Sequence, residues 1–204
     1  MILFVQSQNG QVTIRFKMKF NPKIHHRNSI RLKDFDYSSQ EYYFITICAR
    51  NRECIFGEII DNQPKLIQLG QIIKHEWLAL PRRFPQIELD EYIIMPNHFH
   101  AIIQILGVFS SASVWADVKP APTLGDIICA FKLVVFKRYY DLIRQNNVDE
   151  IAKCWQRNYW ERIIRDNQEF INIQHYIATN PERWSEDSDN LDRLLIRMTE
   201  RHDA

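Results

Sequence analysis

The segment 87–106 constrains the fold most, because it is predicted to form two β-strands joined at a tight turn, Pro96-Asn97. Successive side chains of a strand point to opposite faces of its sheet. His98 and His100 should therefore share one face, while Phe99 points away into a core. Two imidazoles side by side on a rigid strand form half of a metal site, because neutral imidazole is a common metal ligand. The His-x-His spacing alone is a weak signal, and two unrelated histidines on a half-buried strand fit it equally well.

The composition is that of a folded protein, with 46% hydrophobic and 12% aromatic residues in a chain of 204 residues. The net charge of +1 does not by itself indicate a nucleic-acid binder. The charge is uneven, however: residues 15–33 include seven basic residues and no acidic one, whereas residues 185–204 include six acidic residues. We therefore predict an N-terminal extension and basic arm over 1–36, a folded domain over 37–184 and an acidic C-terminal tail over 185–204. The arm suits contact with a polyanion, and a merely solvated arm is the alternative.

Four scattered cysteines without a Cys-x-x-Cys pair argue against a structural zinc ribbon. The apolar opening of the chain is too short and wrongly flanked for a signal peptide. No run approaches the roughly 18 apolar residues of a membrane span. These features predict a protein of the reducing cytoplasm.

Hydrophobic periodicity predicts an alternation of strands and helices along the folded domain. In order, the predicted elements are a strand at 42–49, a hairpin turning at Asp61-Asn62, a helix at 69–80, strands at 87–95 and 98–106, a helix at 123–143, a short strand within 155–165 and a helix at 167–179. Pro81 and Asn180-Pro181 are expected to end the helices that precede them. The strands should form a sheet with the two histidines on a central strand, and residues 107–122 should form a loop.

The helix predicted at 123–143 carries basic and aromatic side chains outside its core stripe, among them Lys132 and Lys137. Such a surface can hold a nucleic-acid strand through phosphate pairing and base stacking. An ordinary amphipathic helix with a solvated face is the alternative.

The last predicted helix carries Tyr176 and Asn180, which are four residues apart and therefore neighbours on one helix face. They flank the apolar stripe formed by Phe170, Ile173 and Ile177, at the border between core and solvent. A side chain at that border can reach a substrate while its helix stays docked. The alternative is that Tyr176 only packs and Asn180 only ends the helix.

Six motifs of the chain resemble blocks of one known family. They are Arg27–Ser38 (RNSIRLKDFDYS), Tyr43–Cys48 (YFITIC), Asn51–Gly57 (NRECIFG), Met95–His100 (MPNHFH), Asn158–Arg165 (NYWERIIR) and Tyr176–Pro181 (YIATNP). The family is the REP-associated tyrosine transposases, relatives of the single-tyrosine transposases that carry a His-hydrophobic-His ("HUH") motif. The resemblance covers most of the chain from about Arg27 onward, and this ordered set of motifs is far more specific than His-x-His.

The resemblance implies a ferredoxin-like α+β transposase domain over 37–184. Its antiparallel sheet would have helices packed on one face, the HUH motif on a central strand and the tyrosine on a C-terminal helix. The implied activity is metal-dependent cleavage and rejoining of single-stranded DNA through a 5′-phosphotyrosine intermediate, with Mg²⁺ or Mn²⁺ as cofactor. The expected substrate is a hairpin-forming repeat in bacterial DNA. We expect a monomer rather than a homodimer, in the cytoplasm and on the nucleoid when DNA is bound, without membrane association.

By position in these motifs, Tyr176 would be the nucleophile, and His98, His100 and Asn180 would be metal ligands. Glu161 would either support a ligand from behind or orient a basic neighbour. The basic side chains expected to contact DNA are Lys23, Arg27, Arg31, Lys33, Lys132, Lys137, Arg162 and Arg165. Two alternatives remain: a hairpin-binding protein that does not cut DNA, and a metal phosphodiesterase that uses water as its nucleophile.

Overall fold

The structure is a computed structural model that describes residues 3–8, 11–16, 39–106, 122–145, 153–187 and 190. The chain divides into two compact units, residues 1–33 and 34–204. In the first unit, strands β1 (Leu3–Gln8) and β2 (Gln11–Phe16) form an antiparallel hairpin. The arm residues Lys23, Arg27, Arg31 and Lys33, and most of the loop predicted at 107–122, lie outside the described residues.

The second unit contains a four-stranded sheet, a small hairpin and four helices among its described residues. Its elements are β3 (Tyr42–Cys48), β4 (Gly57–Ile60), β5 (Gln63–Leu66), α1 (Gln68–Leu78), α2 (Leu80–Arg83), β6 (Ile87–Ile94), β7 (His98–Ile105), α3 (Leu124–Gln145), β8 (Trp160–Ile164) and α4 (Asn167–Thr179). The strand order is β6-β7-β3-β8, and every neighbouring pair is antiparallel.

This arrangement confirms the predicted ferredoxin-like α+β fold. The path β3-α1-β6-β7-α3-β8 is a βαββαβ unit, with the β4–β5 hairpin inserted before α1 and α4 added at the end. Strand β7 lies between β6 and β3, so the two histidines are on a central strand as predicted. Thr46 of β3 is the direct cross-strand partner of His100.

One face of the sheet carries the main core beneath α1 and α3. The strand residues Tyr43, Ile45 and Ile47 are fully buried there, since alternate side chains of a strand point to the same face. Helix α1 contributes Trp77, whose ring lies 4.9 Å from that of Phe99 on β7. This aromatic packing fixes β7 with its histidines directed to the other side of the sheet.

Helix α4 packs on that other side, so the prediction that the helices share one face is correct for α1 and α3 and wrong for α4. A second, smaller apolar cluster joins Ile177 of α4 to Ile102 of β7 and Ile164 of β8. Gln174 of α4 also donates a hydrogen bond of 2.7 Å to Asp90 on β6. The sheet is therefore covered on both faces, and α4 lies on the histidine side.

Local sequence signals explain most element ends. Asp61 and Asn62 both adopt positive φ, 51° and 59°, which confirms the predicted hairpin because such turns favour these residue types. Thr123 and Asp126 exchange capping hydrogen bonds at the start of α3, at 2.9 Å and 3.3 Å. The Asp166 carboxylate accepts the Glu169 N–H at 2.8 Å and so caps α4.

Of the two predicted helix stops, the one at Asn180-Pro181 is confirmed, because α4 ends at Thr179, whereas the one at Pro81 is wrong in detail. Helix α1 ends at Leu78, and Pro81 lies in the first turn of α2, a position that tolerates a missing N–H. Asn180-Pro181 likewise opens a 3₁₀ helix, Asn180–Glu186, that directly continues α4. This 3₁₀ helix keeps the chain close to the histidine side of the sheet. No helix among the described residues is long and apolar enough to cross a membrane.

Candidate active site

The two histidines of β7 meet on the α4 side of the sheet. Their ring centroids are 4.5 Å apart, and both side chains are buried. The strand period places them on the same side, as the sequence predicts. Burial of two imidazoles next to each other requires a polar partner for each ring, and the structure supplies one for each Nδ1 atom.

The ring of His98 is oriented by Asn97 and a left-handed turn behind it. The amide nitrogen of Asn97 donates to the carbonyl of Arg52 at 2.9 Å, which leaves its Oδ1 as an acceptor. Nδ1 of His98 lies 2.9 Å from that oxygen and must therefore carry the proton. Arg52 and Asn51 hold positive φ, 57° and 53°, to present this carbonyl. The lone pair of His98 is consequently on Nε2.

The ring of His100 is fixed between β3 and α4. Its Nδ1 lies 2.8 Å from the hydroxyl oxygen of Thr46, and its ring stacks on Phe44 with centroids 5.3 Å apart. Its Nε2 lies 3.3 Å from the phenol oxygen of Tyr176. With Nδ1 donating to Thr46, Nε2 of His100 carries the lone pair and accepts from the Tyr176 hydroxyl. Metal-binding histidines are commonly oriented by such a hydrogen bond on the opposite nitrogen.

Both imidazoles are neutral at pH 7. Burial and the charge of Arg52 lower the pKa of His98 to about 3, against the opposing effect of the Asn180 amide. Burial and the charge of His98 lower the pKa of His100 well below its ordinary value, while Asp187 acts in the opposite direction. Neutral imidazole is the form that binds a metal ion, so the pair is available as ligands across the physiological range.

Tyr176 lies at the end of α4 with its ring edge against Phe44, at a centroid distance of 6.1 Å. Burial and the charge of Asp187 raise the pKa of this phenol, although the Asn180 amide and the charge of Arg183 lower it. The phenol is thus protonated at neutral pH in the free protein. It would need a positive partner or a bound cation to act as a nucleophile.

Asn180 lies beside both His98 and Tyr176, one helical turn after the tyrosine. Its side chain is buried, and its Oδ1 has no hydrogen-bond partner of normal geometry in the part of the chain that the structure describes. A buried acceptor without a partner costs free energy unless something else satisfies it. A cation bound by the two histidines and this oxygen would satisfy the amide oxygen. The donor atoms present therefore fit a metal ion.

Asp187 is a site residue that the sequence analysis missed. Its carboxylate oxygen lies 4.0 Å from Nε2 of His98, and its side chain is nearly buried. The sequence places it in the acidic tail 185–204, because that stretch includes six acidic residues. The 3₁₀ continuation instead returns the chain to the histidines. No helical spacing indicates this position, because Asp187 follows the 3₁₀ helix in an extended conformation.

No group of three or more His, Cys, Asp or Glu side chains forms a metal-binding cluster within the described ranges. The imidazole pair would therefore need the amide oxygen of Asn180, with Asp187 as a further carboxylate that approaches without being positioned as a ligand. Two nitrogens and an amide oxygen leave coordination positions open for a substrate and water. Mn²⁺ accepts nitrogen ligands more readily than Mg²⁺ does.

Of the two roles expected for Glu161, support of a histidine from behind does not fit the strand register. In the register of β3 and β8 it lies opposite Ile45, whose side chain belongs to the core under α1 and α3. The histidines lie on the other face, so the sheet separates Glu161 from them. An alternating strand does not reveal in its sequence which of its two faces receives the site.

The four described basic residues expected to contact DNA occupy different settings. The ammonium of Lys132 donates to the carbonyls of Gln156 and Arg157 at 2.6 Å and 3.2 Å, so it holds the chain between α3 and β8. This is a structural role that the sequence did not indicate, and it corrects the expected DNA contact.

The other three lie on the surface. Lys137 pairs with Asp141 at 2.9 Å, and Arg162 pairs with Glu169 at 2.5 Å, while the Arg165 side chain is exposed. Surface ion pairs are weak and exchange readily, so Lys137 and Arg162 stay available to a phosphate.

The fold and site define a ferredoxin-like α+β domain with paired histidines and a helical tyrosine in contact with one of them. The chain is 42% identical over 178 residues to an uncharacterized protein of Haemophilus influenzae, covering 83% of this chain and 96% of that protein. At that identity and coverage, the chain belongs to the same family as the Haemophilus influenzae protein.

The chain is also 23% identical over 140 residues to the REP-associated tyrosine transposase of Escherichia coli K12. That alignment covers 68% of this chain and 65% of the transposase, so it spans about two thirds of each. A solved structure of a REP-associated tyrosine transposase bound to a REP hairpin matches with a TM-score of 0.47 and 18% identity, over 77% of this chain and 74% of that one. No protein-family model matches the chain.

Proposed function

We propose that this protein is a metal-dependent endonuclease and strand transferase that acts on hairpin-forming single-stranded DNA through a 5′-phosphotyrosine intermediate. The observation that carries the proposal is the contact of 3.3 Å between Tyr176 and Nε2 of His100, beside a second buried, neutral histidine. A nucleophile held against a pair of metal-ligand side chains is what a phosphoryl transfer to tyrosine requires. The similarity to the Escherichia coli transposase supports the same activity.

In the proposed site, His98, His100 and Asn180 would hold Mg²⁺ or Mn²⁺. The ion, when bound, would polarise the scissile phosphate and stabilise the charge that develops on it. The protein supplies orientation, since Asn97 and Thr46 hold the rings from behind. Asp187 adds negative charge close to His98 and favours a cation there.

The proposed cleavage step uses the Tyr176 oxygen alone as nucleophile. The phenol loses its proton and its oxygen bonds to phosphorus, while the bond from phosphorus to the 3′ oxygen breaks. The departing oxygen takes up a proton, giving a free 3′-hydroxyl and a 5′-phosphotyrosine. In the reverse direction a 3′-hydroxyl attacks the phosphotyrosine and reseals DNA. No nucleotide cofactor is needed, because the protein–DNA bond conserves the phosphodiester energy.

We further propose that the protein acts as a monomer in the cytoplasm, on the nucleoid when it is bound to DNA. An exposed cation near the site suits a polyanionic substrate, since Arg183 influences Tyr176 electrostatically from the 3₁₀ helix. A phosphate contact of this kind does not depend on base identity, which fits recognition of a hairpin by its backbone and shape.

A denaturing gel tests the proposal. Labelled single-stranded hairpin DNA from repeats that flank the gene is incubated with the protein and Mn²⁺, and covalent adduct is quantified. We expect an adduct that Tyr176→Phe and the His98→Ala/His100→Ala double variant abolish. Tyr140→Phe is the matched control, because Tyr140 is a similarly exposed tyrosine on α3, 41% against 39% for Tyr176.

The same gel separates the alternatives. Cleaved DNA without adduct, unaffected by Tyr176→Phe, would contradict the tyrosine mechanism and indicate a phosphodiesterase that uses water. Tight binding on a native gel without any cleavage would contradict enzymatic activity and indicate a hairpin-binding protein. An adduct that survives in Tyr176→Phe would refute the role of Tyr176.

A further inference from the structure

An unusually exposed tryptophan lies on the same face of the sheet as the histidines. Trp160 opens the edge strand β8, and 61% of it is exposed to solvent. It belongs to neither apolar cluster of the described residues. A large aromatic ring left in water forgoes substantial burial free energy, so an exposed tryptophan of this kind commonly marks a binding surface.

The strand register fixes where this ring stands. Trp160 is the direct cross-strand partner of Thr46, and Thr46 is the direct partner of His100. The three residues therefore form one row across β8, β3 and β7 on a single face. With strands about 4.8 Å apart, the backbone of Trp160 lies roughly 10 Å from that of His100.

The neighbour of Trp160 on that face is cationic. Arg162 follows two residues later and so points to the same side; 71% of its side chain is exposed, and it pairs with Glu169 at 2.5 Å in an ion pair that a phosphate would replace. An exposed aromatic ring next to an exposed guanidinium suits a strand that offers both bases and phosphates. The pair is continuous with the candidate site through Thr46, which argues for the same ligand on both.

We propose that Trp160 is the stacking platform for one base of the single-stranded DNA near the scissile phosphate, and that Arg162 neutralises the adjoining phosphate. This inference rests on the proposed function and adds a positioning residue to it. Stacking on Trp160 would extend the strand across β8 and β3 and bring the next phosphate to the histidines. Because every base has an aromatic face, the contact would not depend on the identity of the base. It would depend only on how far that base lies from the hairpin.

Equilibrium binding measured in a Tyr176→Phe background tests the stacking without interference from cleavage. Fluorescence anisotropy of a labelled hairpin with a single-stranded flank gives the dissociation constant. Trp160→Ala should weaken binding roughly 5- to 100-fold, the range of one base stacked on an aromatic side chain. Trp160→Tyr should keep most of the affinity. Leu133→Ala is the control, since Leu133 is 64% exposed on α3 and should not affect binding.

Abasic substitution at each flank position then identifies the stacked base. At one position the abasic site should lower the affinity of the parent for the hairpin but should not lower that of Trp160→Ala any further. Both changes remove the same stacking contact. Equal affinity of the parent and Trp160→Ala, with thermal midpoints showing both folded, would overturn the stacking while leaving the adduct assay unaffected. A parent that does not bind single-stranded DNA at all would overturn this inference together with the proposed function.

Discussion

The phenol oxygen of Tyr176 lies 3.3 Å from Nε2 of His100, so the last helix and the central strand meet through their reactive groups. The next residue, Ile177, is fully buried against Ile102 and Ile164. Ile177 thus holds α4 against the sheet, and the adjacent residue Tyr176 carries the phenol. A change that loosens the helix should also displace the nucleophile.

Ile177→Ala tests this dependence. Truncation of a fully buried isoleucine should lower the free energy of unfolding by about 2–4 kcal/mol, measured by urea denaturation. It should also reduce the rate of adduct formation at a temperature where the variant is folded, because Tyr176 loses its fixed position. Ile171→Ala on the exposed side of α4 should change both quantities little. A destabilised Ile177→Ala with an unchanged adduct rate would contradict the link between docking and placement.

Thr46 is predicted to position His100 through its hydroxyl group. Thr46→Val keeps the shape of the side chain and removes the oxygen that lies 2.8 Å from Nδ1. Loss of such a partner typically lowers metal affinity or activity about 10- to 100-fold. The Mn²⁺ concentration needed for half-maximal adduct formation should rise accordingly, while the affinity for DNA without metal stays the same. Thr46→Ser should restore the metal dependence, and identical curves for the two variants would contradict the role.

The sequence carries enough information to predict the two halves of the site separately. The strand period of two places His98 and His100 on one face, and helical spacing makes Tyr176 and Asn180 neighbours. How these two halves of the site come together depends on tertiary packing. The apolar stripe of α4 shows that one side of the helix is buried, but it does not show which face of the sheet that side packs against. For that reason the helices were expected on one face, whereas α4 packs on the other.

Residues that act through tertiary contact escaped the sequence analysis for the same reason. Asp187 was assigned to a tail because residues 185–204 are rich in acidic side chains, yet the 3₁₀ helix Asn180–Glu186 brings it to 4.0 Å from His98. Lys132 was expected on a DNA surface, but three backbone carbonyls that arrive from residues 156–158 hold its ammonium. No local pattern encodes a partner that lies two dozen residues further along the chain.

Glu76 is predicted to control the acid stability of the fold. This fully buried carboxylate on α1 binds Arg83 of α2 and accepts from Arg138 of α3 at 2.7 Å. Burial raises its pKa, but the hydrogen bonds from Arg83 and His75 and the charges of Arg138 and Arg83 outweigh that effect. The pKa therefore lies below the ordinary value of 4.5. Because the folded pKa is lowered, the stabilisation is complete above pH 4.5 and is lost as pH falls through the folded value.

Glu76→Gln should accordingly lower the free energy of unfolding at pH 7 by about 2 kcal/mol, since two charged hydrogen bonds are weakened. Urea titrations between pH 7 and pH 3 should show the difference from the parent shrinking below pH 4.5. Glu58→Gln is the control, because Glu58 pairs with Lys65 at 3.9 Å on the surface and should matter little. A difference that is independent of pH would show that the charge of Glu76 is not what stabilises the helices.

The basic arm is predicted to supply phosphate contacts to the hairpin stem. Alanine replacement of the four arm residues should weaken binding of the hairpin and reduce the dependence of its affinity on salt. Each phosphate contact releases counterions on binding, so fewer are released when contacts are lost. The residues are Lys23, Arg27, Arg31 and Lys33. The slope of log affinity against log salt should fall by about 0.7–0.9 for each contact, so by about 3 if all four act. The control is Lys74→Ala/Arg82→Ala, two exposed cations on α1 and α2, whose slope should equal that of the parent. An arm variant with the parent slope would mean that these charges remain solvated when the hairpin is bound.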